Sequence, residues 1–331
     1  MPITINDYRA PAWLPGGHLQ TIYPYLFAPR PKLAYRRERW ELPDGDFLDL
    51  DWLDNPEHTP LLVLFHGLEG DAQGYYALAL MERLKQRGWR GVVVNFRGCS
   101  GEPNRLPRAY FAGDSAEINY VLTRLRLQFP DDTLYSVGFS LGGNALLLWL
   151  GEQGNRAGAI IQAAVSISAP LDLTAAGNAL DQGINRWLYT RHFLTTLKLT
   201  ALQKLKKFPD LYDPEQVRSA MTLRDFDNLV TAPIHGYRNT DDYWRRGASK
   251  PGLPQISVPT LVINARNDPF LPGAALPTAA QVSPAVTLLF PEQGGHVGFL
   301  QGPFPGNVNW LPDRVINHLQ QYRYRLVAAR R

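Results

Sequence analysis

The stretch Leu134-Tyr135-Ser136-Val137-Gly138-Phe139-Ser140-Leu141-Gly142-Gly143-Asn144-Ala145-Leu146-Leu147-Leu148-Trp149-Leu150 changes its reading at the middle. Leu134–Val137 is a compact apolar run of the kind that forms a strand buried on both faces. Gly142–Glu152 is long and apolar enough for a helix, which stops near Gly154. Between them, Gly138-Phe139-Ser140-Leu141-Gly142 has the pattern Gly-x-Ser-x-Gly. A strand that turns sharply into a helix here lifts the Ser140 hydroxyl clear of the sheet, and flanking glycines remove side chains that would collide in so tight a turn. The helix N-terminus also aims backbone N–H groups at the same point. Ser140 is therefore the candidate nucleophile.

Outward from this elbow, short apolar runs alternate with longer amphipathic segments, as βαβ units around a parallel sheet require. Phe47–Leu53 alternates, while Leu61–Phe65, Gly91–Asn95, Ala163–Ile167, Thr260–Asn264 and Val286–Phe290 are compact and rich in Val, Ile and Leu. Helices are predicted over Tyr76–Arg87, stopped by Gly88, and over Ser115–Phe129, stopped by Pro130. Right-handed crossovers place such helices on both faces of the sheet. The fold class is α/β, with a mostly parallel central sheet flanked by helices.

Two segments fall outside the alternation. From Pro170 to Gln255, roughly 85 residues carry helix-like spacing, in Gly183–Lys207 and Asp213–Val230, and a structureless loop of that size is uncommon. Residues 170–255 are therefore read as a helical cap inserted into the domain. Residues 1–40, with six prolines in Met1–Lys32, are read as an N-terminal arm without a long helix. The body is then discontinuous, residues 41–169 and 256–331, and must close in space to bring its two parts together.

Composition bounds the rest. At 331 residues, 45% apolar and 19% charged, the chain buries enough surface for a substantial core, and 28 Gly with 27 Pro is too few for a low-complexity chain. No apolar run approaches the ~18 residues of a membrane span. Asp7, Arg9 and the early prolines break any signal-peptide pattern, so a cytoplasmic location is expected. One cysteine, Cys99, excludes a disulfide framework and a four-cysteine zinc site, and reads as a small residue in a Gly-rich loop. A net charge of +4 with scattered basic residues gives no support to nucleic-acid binding. Arg36–Arg39 and Lys204–Lys207 read as solvated faces, and the basic tail Arg323–Arg331 as a weak peripheral contact with anionic lipid. Nothing asks for an obligate protein partner.

A serine hydroxyl needs a base, and the base needs a carboxylate to hold its tautomer. Asp268 follows the strand Thr260–Asn264, and His296 follows Val286–Phe290 within Gln293-Gly294-Gly295-His296-Val297-Gly298. Both are loop positions at the carboxyl ends of strands, where open α/β sheets place their sites. His66, after Leu61–Phe65 in His66-Gly67-Leu68-Glu69-Gly70, lies in the loop expected to supply a second oxyanion donor. The backbone N–H groups of Leu68 and Leu141 are the candidate pair, with the His66 side chain ordering the loop. A His-x4-Asp match, His66 to Asp71, is set aside because the loop already accounts for the histidine. Gly98-Cys99-Ser100-Gly101 lacks the pattern of a phosphate loop. His58 and His318 read as exposed, and His18, His192 and His235 as structural or substrate-lining. The aromatics Trp13, Tyr23, Tyr25, Trp187, Tyr237, Tyr243 and Trp244 are candidates to line an acyl pocket.

With these residues assembled, the chain resembles the α/β-hydrolase superfamily and, within it, the YheT-like esterases of the AB hydrolase 4 family, which includes the plant EMB8-like proteins. The resemblance runs through Pro15-Gly16-Gly17-His18-Leu19-Gln20-Thr21, His66-Gly67-Leu68-Glu69-Gly70, Asn95-Phe96-Arg97-Gly98-Cys99-Ser100-Gly101 and Gly138-Phe139-Ser140-Leu141-Gly142-Gly143-Asn144. It continues in Phe226-Asp227, Tyr237 and Asp241-Asp242-Tyr243-Trp244, then in Asn267-Asp268-Pro269 and Gly294-Gly295-His296. It implies a serine carboxylester hydrolase with a charge-relay triad at Ser140, Asp268 and His296, acting on a small-molecule acyl ester without a metal or organic cofactor. Short- to medium-chain esters are the expected substrates. A lipase, phospholipase or thioesterase with the same triad is the alternative, and a hydrolase-fold binding protein that has lost catalysis is another.

Overall fold

The computed structural model describes residues 7–322. Eight strands form one sheet in the order β1-β2-β4-β3-β5-β6-β7-β8: β1 (Arg36–Glu41), β2 (Phe47–Leu53), β3 (Leu61–Phe65), β4 (Arg90–Asn95), β5 (Leu134–Phe139), β6 (Ala163–Ile167), β7 (Thr260–Ile263) and β8 (Val286–Leu289). The β1–β2 and β2–β4 pairs are antiparallel, and every pair from β4 through β3 to β8 is parallel.

The parallel strands are buried at every position except Thr287 because both faces are covered. Leu61, Val63 and Phe65 of β3 join one core together with Val121 and Leu122 of α3 (Ser115–Gln128) and Leu146 and Leu147 of α4 (Leu141–Gln153). Leu62 and Leu64 point the other way, into a core shared with Leu80 and Leu84 of α2 (Tyr75–Gln86) and with Val315 and Leu319 of the C-terminal helix Trp310–Gln320. The period of two along a strand divides one apolar run between two cores. Truncating a fully buried leucine here, such as Leu62 or Leu64, costs about 2–5 kcal/mol.

Strand β1 was not expected from its sequence. Arg-Arg-Glu-Arg-Trp-Glu pairs with β2 in a register that sets Arg37 opposite Asp51 and Arg39 opposite Asp49. Each guanidinium grips its carboxylate through two hydrogen bonds of 2.8 Å, which lets Asp49 and Asp51 lie almost fully buried. The basic cluster at residues 36–39 is thus one side of a cross-strand ion-pair ladder rather than a merely solvated face. The arm expected over residues 1–40 includes most of this edge strand. It also carries an 11-residue helix, α1 (Gly17–Phe27), which accommodates Pro24 within it.

Between β6 and β7 the chain is mainly helical. It runs through α5 (Leu173–Leu180), the helix Arg191–Lys204 entered by a wide turn at Arg186–Thr190, and shorter helices at Pro214–Ser219, Leu223–Phe226 and Thr240–Gly247. Asn144 of α4 ties this layer down: it donates to Ala112 O and Gly247 O and accepts from Ser249 N–H, so a fully buried amide is satisfied on both sides. His318, expected to be exposed, is buried, because it lies on the inner face of its helix. No helix among the described residues is long and apolar enough to cross a membrane. The basic tail Arg323–Arg331 lies outside the described residues.

Candidate active site

The elbow forms where the period changes. β5 ends at Phe139 and α4 begins at Leu141, leaving Ser140 between them at φ 50° and ψ −119°. A residue with a Cβ is strained there, and strain of this kind is held only where the surroundings over-determine it. The glycines show what the surroundings demand. A Cβ on Gly138 would sit 2.6 Å from Gly143 Cα, and one on Gly142 would sit 2.5 Å from both Phe65 O and His66 O. Helix and strand therefore meet backbone to backbone. Serine commonly caps a helix with its own hydroxyl, but Ser140 makes no such bond.

That hydroxyl meets His296. Ser140 Oγ lies 2.9 Å from His296 Nε2, and His296 Nδ1 lies 2.9 Å from Asp268 Oδ2. With Asp268 accepting from Nδ1–H, Nε2 is left as the acceptor for the serine proton. Asp268 is buried, and its second oxygen accepts the Phe270 N–H at 2.8 Å. The structure brings together three residues that follow β5, β7 and β8, all at the carboxyl edge of the sheet.

The loop after β3 closes over the elbow. A Cβ on Gly67 would lie 3.1 Å from Ser140 Cβ. Leu68 and Leu141 line the same cavity as Ser140 and His296, and among the described residues no protein acceptor takes either backbone N–H. His66 is committed elsewhere: Nδ1 donates to Gly67 O at 2.7 Å, and Nε2 accepts from Phe96 N–H at 3.0 Å. Burial pushes its imidazole down to about 4, so it is neutral at pH 7 with both nitrogens engaged by backbone. A general base for acyl transfer at His66 has no free nitrogen with which to act.

The cavity in front of Ser140 has a volume of about 420 Å³ and is mainly apolar. Of the seven aromatics expected to line it, Tyr243 and Trp244 do so; Trp13, Tyr23, Tyr25, Trp187 and Tyr237 do not. Trp13 and Tyr23 pack edge to face on each other, and Trp187 is 70% exposed. Phe111, Phe193, Phe226 and Phe270 take their place, the first from the loop before α3 and the others from the helical layer and the Asp268 loop. Of the other histidines, His235 lines the cavity stacked on Phe111, with centroids 4.0 Å apart, and His18 meets the Tyr189 hydroxyl at 3.1 Å. Cys99 also borders the cavity, and burial pushes its thiol up, away from the reactive thiolate.

Two site-related residues escaped the sequence reading: Gln20 and Thr21, both buried on α1, Gln20 bonded to the Asp268 and His296 loops and Thr21 to the His296 loop. They stand inside Pro15–Thr21, a run that carried part of the resemblance without an assigned role. A buried glutamine leaves no periodic trace in a sequence.

Residues 60–303 match the family model described as alpha/beta hydrolase fold. The chain is 42% identical over 310 residues to an Escherichia coli (strain K12) protein named "Putative esterase YheT", covering 92% of this chain and 90% of that one. It is 30% identical over 330 residues to human "Phospholipase ABHD3", covering 97% of this chain and 80% of the relative. Among solved structures, a Pyrococcus furiosus esterase, Pf2001, superposes with a TM-score of 0.55 at 16% identity, covering 89% of this chain and 99% of that one.

Proposed function

The chain belongs to the alpha/beta hydrolase family, and from that premise we propose that it is a serine carboxylester hydrolase with Ser140 as nucleophile, His296 as base and Asp268 as the group that orients the base. The observation that carries this reading is the unbroken relay from Ser140 Oγ through His296 to Asp268, opening on an apolar cavity. His296 Nε2 takes the hydroxyl proton as Ser140 Oγ attacks the acyl carbonyl. The negative charge that develops on the carbonyl oxygen is held by the N–H groups of Leu68 and Leu141, and Asp268 stabilises the imidazolium. Collapse expels the alcohol, which takes the proton from His296. Water then repeats the cycle on the acyl-enzyme and releases the acid.

In this reading residues 41–169 and 256–331 form the catalytic body together with the edge strand β1, 170–255 are a cap over Ser140, and the arm before β1 is laid over the body. Short- to medium-chain esters suit a cavity of 420 Å³, toward the lower part of the range of about 300–1,000 Å³ for small-molecule sites. A phospholipid ester is the second reading, favoured by the name of the human relative. Ser140→Ala is expected to abolish turnover of p-nitrophenyl acyl esters, and a fluorophosphonate is expected to label the native protein but not the variant. Retained turnover in a folded Ser140→Ala protein overturns the assignment.

A further inference from the structure

The arm helix α1 stands at the crossing of the two loops that carry Asp268 and His296. Gln20, completely buried, uses all four of its hydrogen-bonding positions. Its Oε1 accepts from Asn267 Nδ2 at 2.9 Å and from Gly294 N–H at 2.9 Å, while its Nε2 donates to Leu14 O at 2.9 Å and Gln293 Oε1 at 3.0 Å. Asn267 immediately precedes Asp268, and Gly294 lies two residues before His296. Asn267 completes the link through its Oδ1, which accepts from Gly295 N–H at 3.0 Å. Thr21 reaches the histidine itself: its Oγ1 accepts the His296 N–H at 2.8 Å and donates to Gly17 O at 2.7 Å.

The contacts also leave no slack. A Cβ on Gly17 would overlap Asn267 O, one on Gly298 would overlap Gln20 O, and one on Gly295 would lie 2.8 Å from Gln20 C. Backbone therefore rests on backbone at three points. Gly295 supplies φ 62° without strain, but Val297, a β-branched residue, is held at φ 61°, so the His296 loop departs from relaxed geometry just after the histidine. An isolated loop has no local reason to hold that shape.

From these observations we propose that Gln20 and Thr21 are positioning residues, which act through the two loops to hold the His296 imidazole in register between Asp268 and Ser140. This rests on the triad reading above. Neither side chain touches the reacting atoms. Their effect is on the rate of proton transfer, because a relay with 2.9 Å spacings at both imidazole nitrogens tolerates little displacement. In this reading the first segment of the chain, distant in sequence from every triad residue, completes the site.

Thr21→Val keeps the side-chain shape and removes the acceptor of the His296 N–H, whereas Thr21→Ser keeps the acceptor. On a p-nitrophenyl butyrate assay, with active sites counted by fluorophosphonate titration, Thr21→Val is expected to lower kcat by about tenfold to a hundredfold per titrated site. KM should stay within about twofold, since the cavity wall is untouched. Thr21→Ser is expected to recover most of kcat. The acid limb of the kcat/KM profile should also move in Thr21→Val, because it reports the histidine whose carboxylate contact is disturbed. Gln20→Glu, which has no donor for Leu14 O and Gln293, should fall in kcat in the same way. Wild-type kcat and an unmoved acid limb in folded Thr21→Val, or equal loss in Thr21→Ser and Thr21→Val, overturns the proposal. Ser140→Ala, run in parallel, separates the outcomes. An active Ser140→Ala protein refutes the triad, while an inactive one beside a fully active Thr21→Val refutes only the brace.

Discussion

The ring of Phe270 lies face to face on the imidazole of His296, with centroids 3.9 Å apart and planes 19° from parallel. The same residue donates its backbone N–H to Asp268 Oδ1 and lines the cavity. Phe270 thus touches both partners of the His296–Asp268 pair and shields one face of the imidazole from water. Stacked aromatic pairs contribute about 0.5–1.5 kcal/mol beyond the area they bury. Phe270→Leu keeps an apolar cover and loses the stack, so kcat on a p-nitrophenyl ester is expected to fall about threefold to tenfold. Phe270→Ala, which also opens the pair to solvent, should fall further. Equal kcat in all three proteins would show that the ring only fills space.

The approach of Gly67 to Ser140 makes a second test. A Cβ at Gly67 would lie 3.1 Å from Ser140 Cβ and 3.6 Å from Phe139 O, so alanine forces a shift of a few tenths of an ångström between the loop and the elbow. Loss of one oxyanion donor costs about 10²–10³ in kcat in enzymes of this chemistry. A donor displaced rather than removed should cost less, and Gly67→Ala is expected to lose about tenfold to a hundredfold in kcat with its melting temperature little changed. Gly142→Ala meets the carbonyl oxygens of Phe65 and His66 at 2.5 Å, where nothing flexible can yield, and is expected to fail in folding rather than only in catalysis. Circular dichroism melts beside steady-state kinetics distinguish the two results.

The contrast between these glycines and the arm explains what the sequence discloses. Ser140, Asp268 and His296 each stand just past a compact apolar strand, so the hydrophobic period that marks β5, β7 and β8 also marks the positions where side chains emerge at the sheet edge. Strand β1 has no such mark. It reads Arg-Arg-Glu-Arg-Trp-Glu, and becomes a strand because Asp49 and Asp51 of β2 accept its arginines across the pair. Gln20 and Thr21 are hidden for a related reason: their burial is justified by the Asn267 amide and by backbone N–H groups of Gly294 and His296, and long-range polar contacts follow no local period. Of the seven aromatics expected at the pocket, two, Tyr243 and Trp244, line it. A ring's presence in a helical insertion is visible in sequence, but the face it turns to the cavity depends on how short helices pack.

The cavity predicts a chain-length limit that one residue can move. Ala201, on the inner side of the helix Arg191–Lys204, is buried and borders the cavity with little side chain to fill it. Ala201→Leu adds three carbons toward that space and leaves the relay untouched. Burial of a methylene stabilises by about 0.8 kcal/mol, so excluding two or three methylenes of a bound acyl chain should cost about tenfold to a hundredfold in kcat/KM for the longest accepted esters. Acetyl ester turnover should stay within about twofold. A p-nitrophenyl ester series from acetyl to decanoyl, run on both proteins, reads the shift directly. An unchanged profile would mean that the acyl chain lies elsewhere in the cavity.

Acid sensitivity follows from histidines buried in the neutral form. His318, on the inner face of the C-terminal helix, has its pKa pushed down to about 4 by burial and by the nearby Arg314, and its Nε2 has no hydrogen-bond partner among the described residues. The unfolded chain binds a proton at this residue near 6.5, whereas the folded chain resists it until about 4. In that window the unfolded state holds more protons, so stability rises with pH and falls as pH drops from 6.5 toward 4. At pH 5 the penalty is about 2 kcal/mol, against a few tenths at pH 7. His66 and His235, held down to about 4 and about 3 mainly by burial, act in the same direction. His318→Leu removes one of these groups far from Ser140. In urea unfolding its stability relative to the native sequence should therefore improve by about 2 kcal/mol on going from pH 7 to pH 5, with kcat at pH 7 unchanged. A stability difference that stays the same at both pH values would show that the folded protein accepts the proton at His318 as readily as the unfolded chain does.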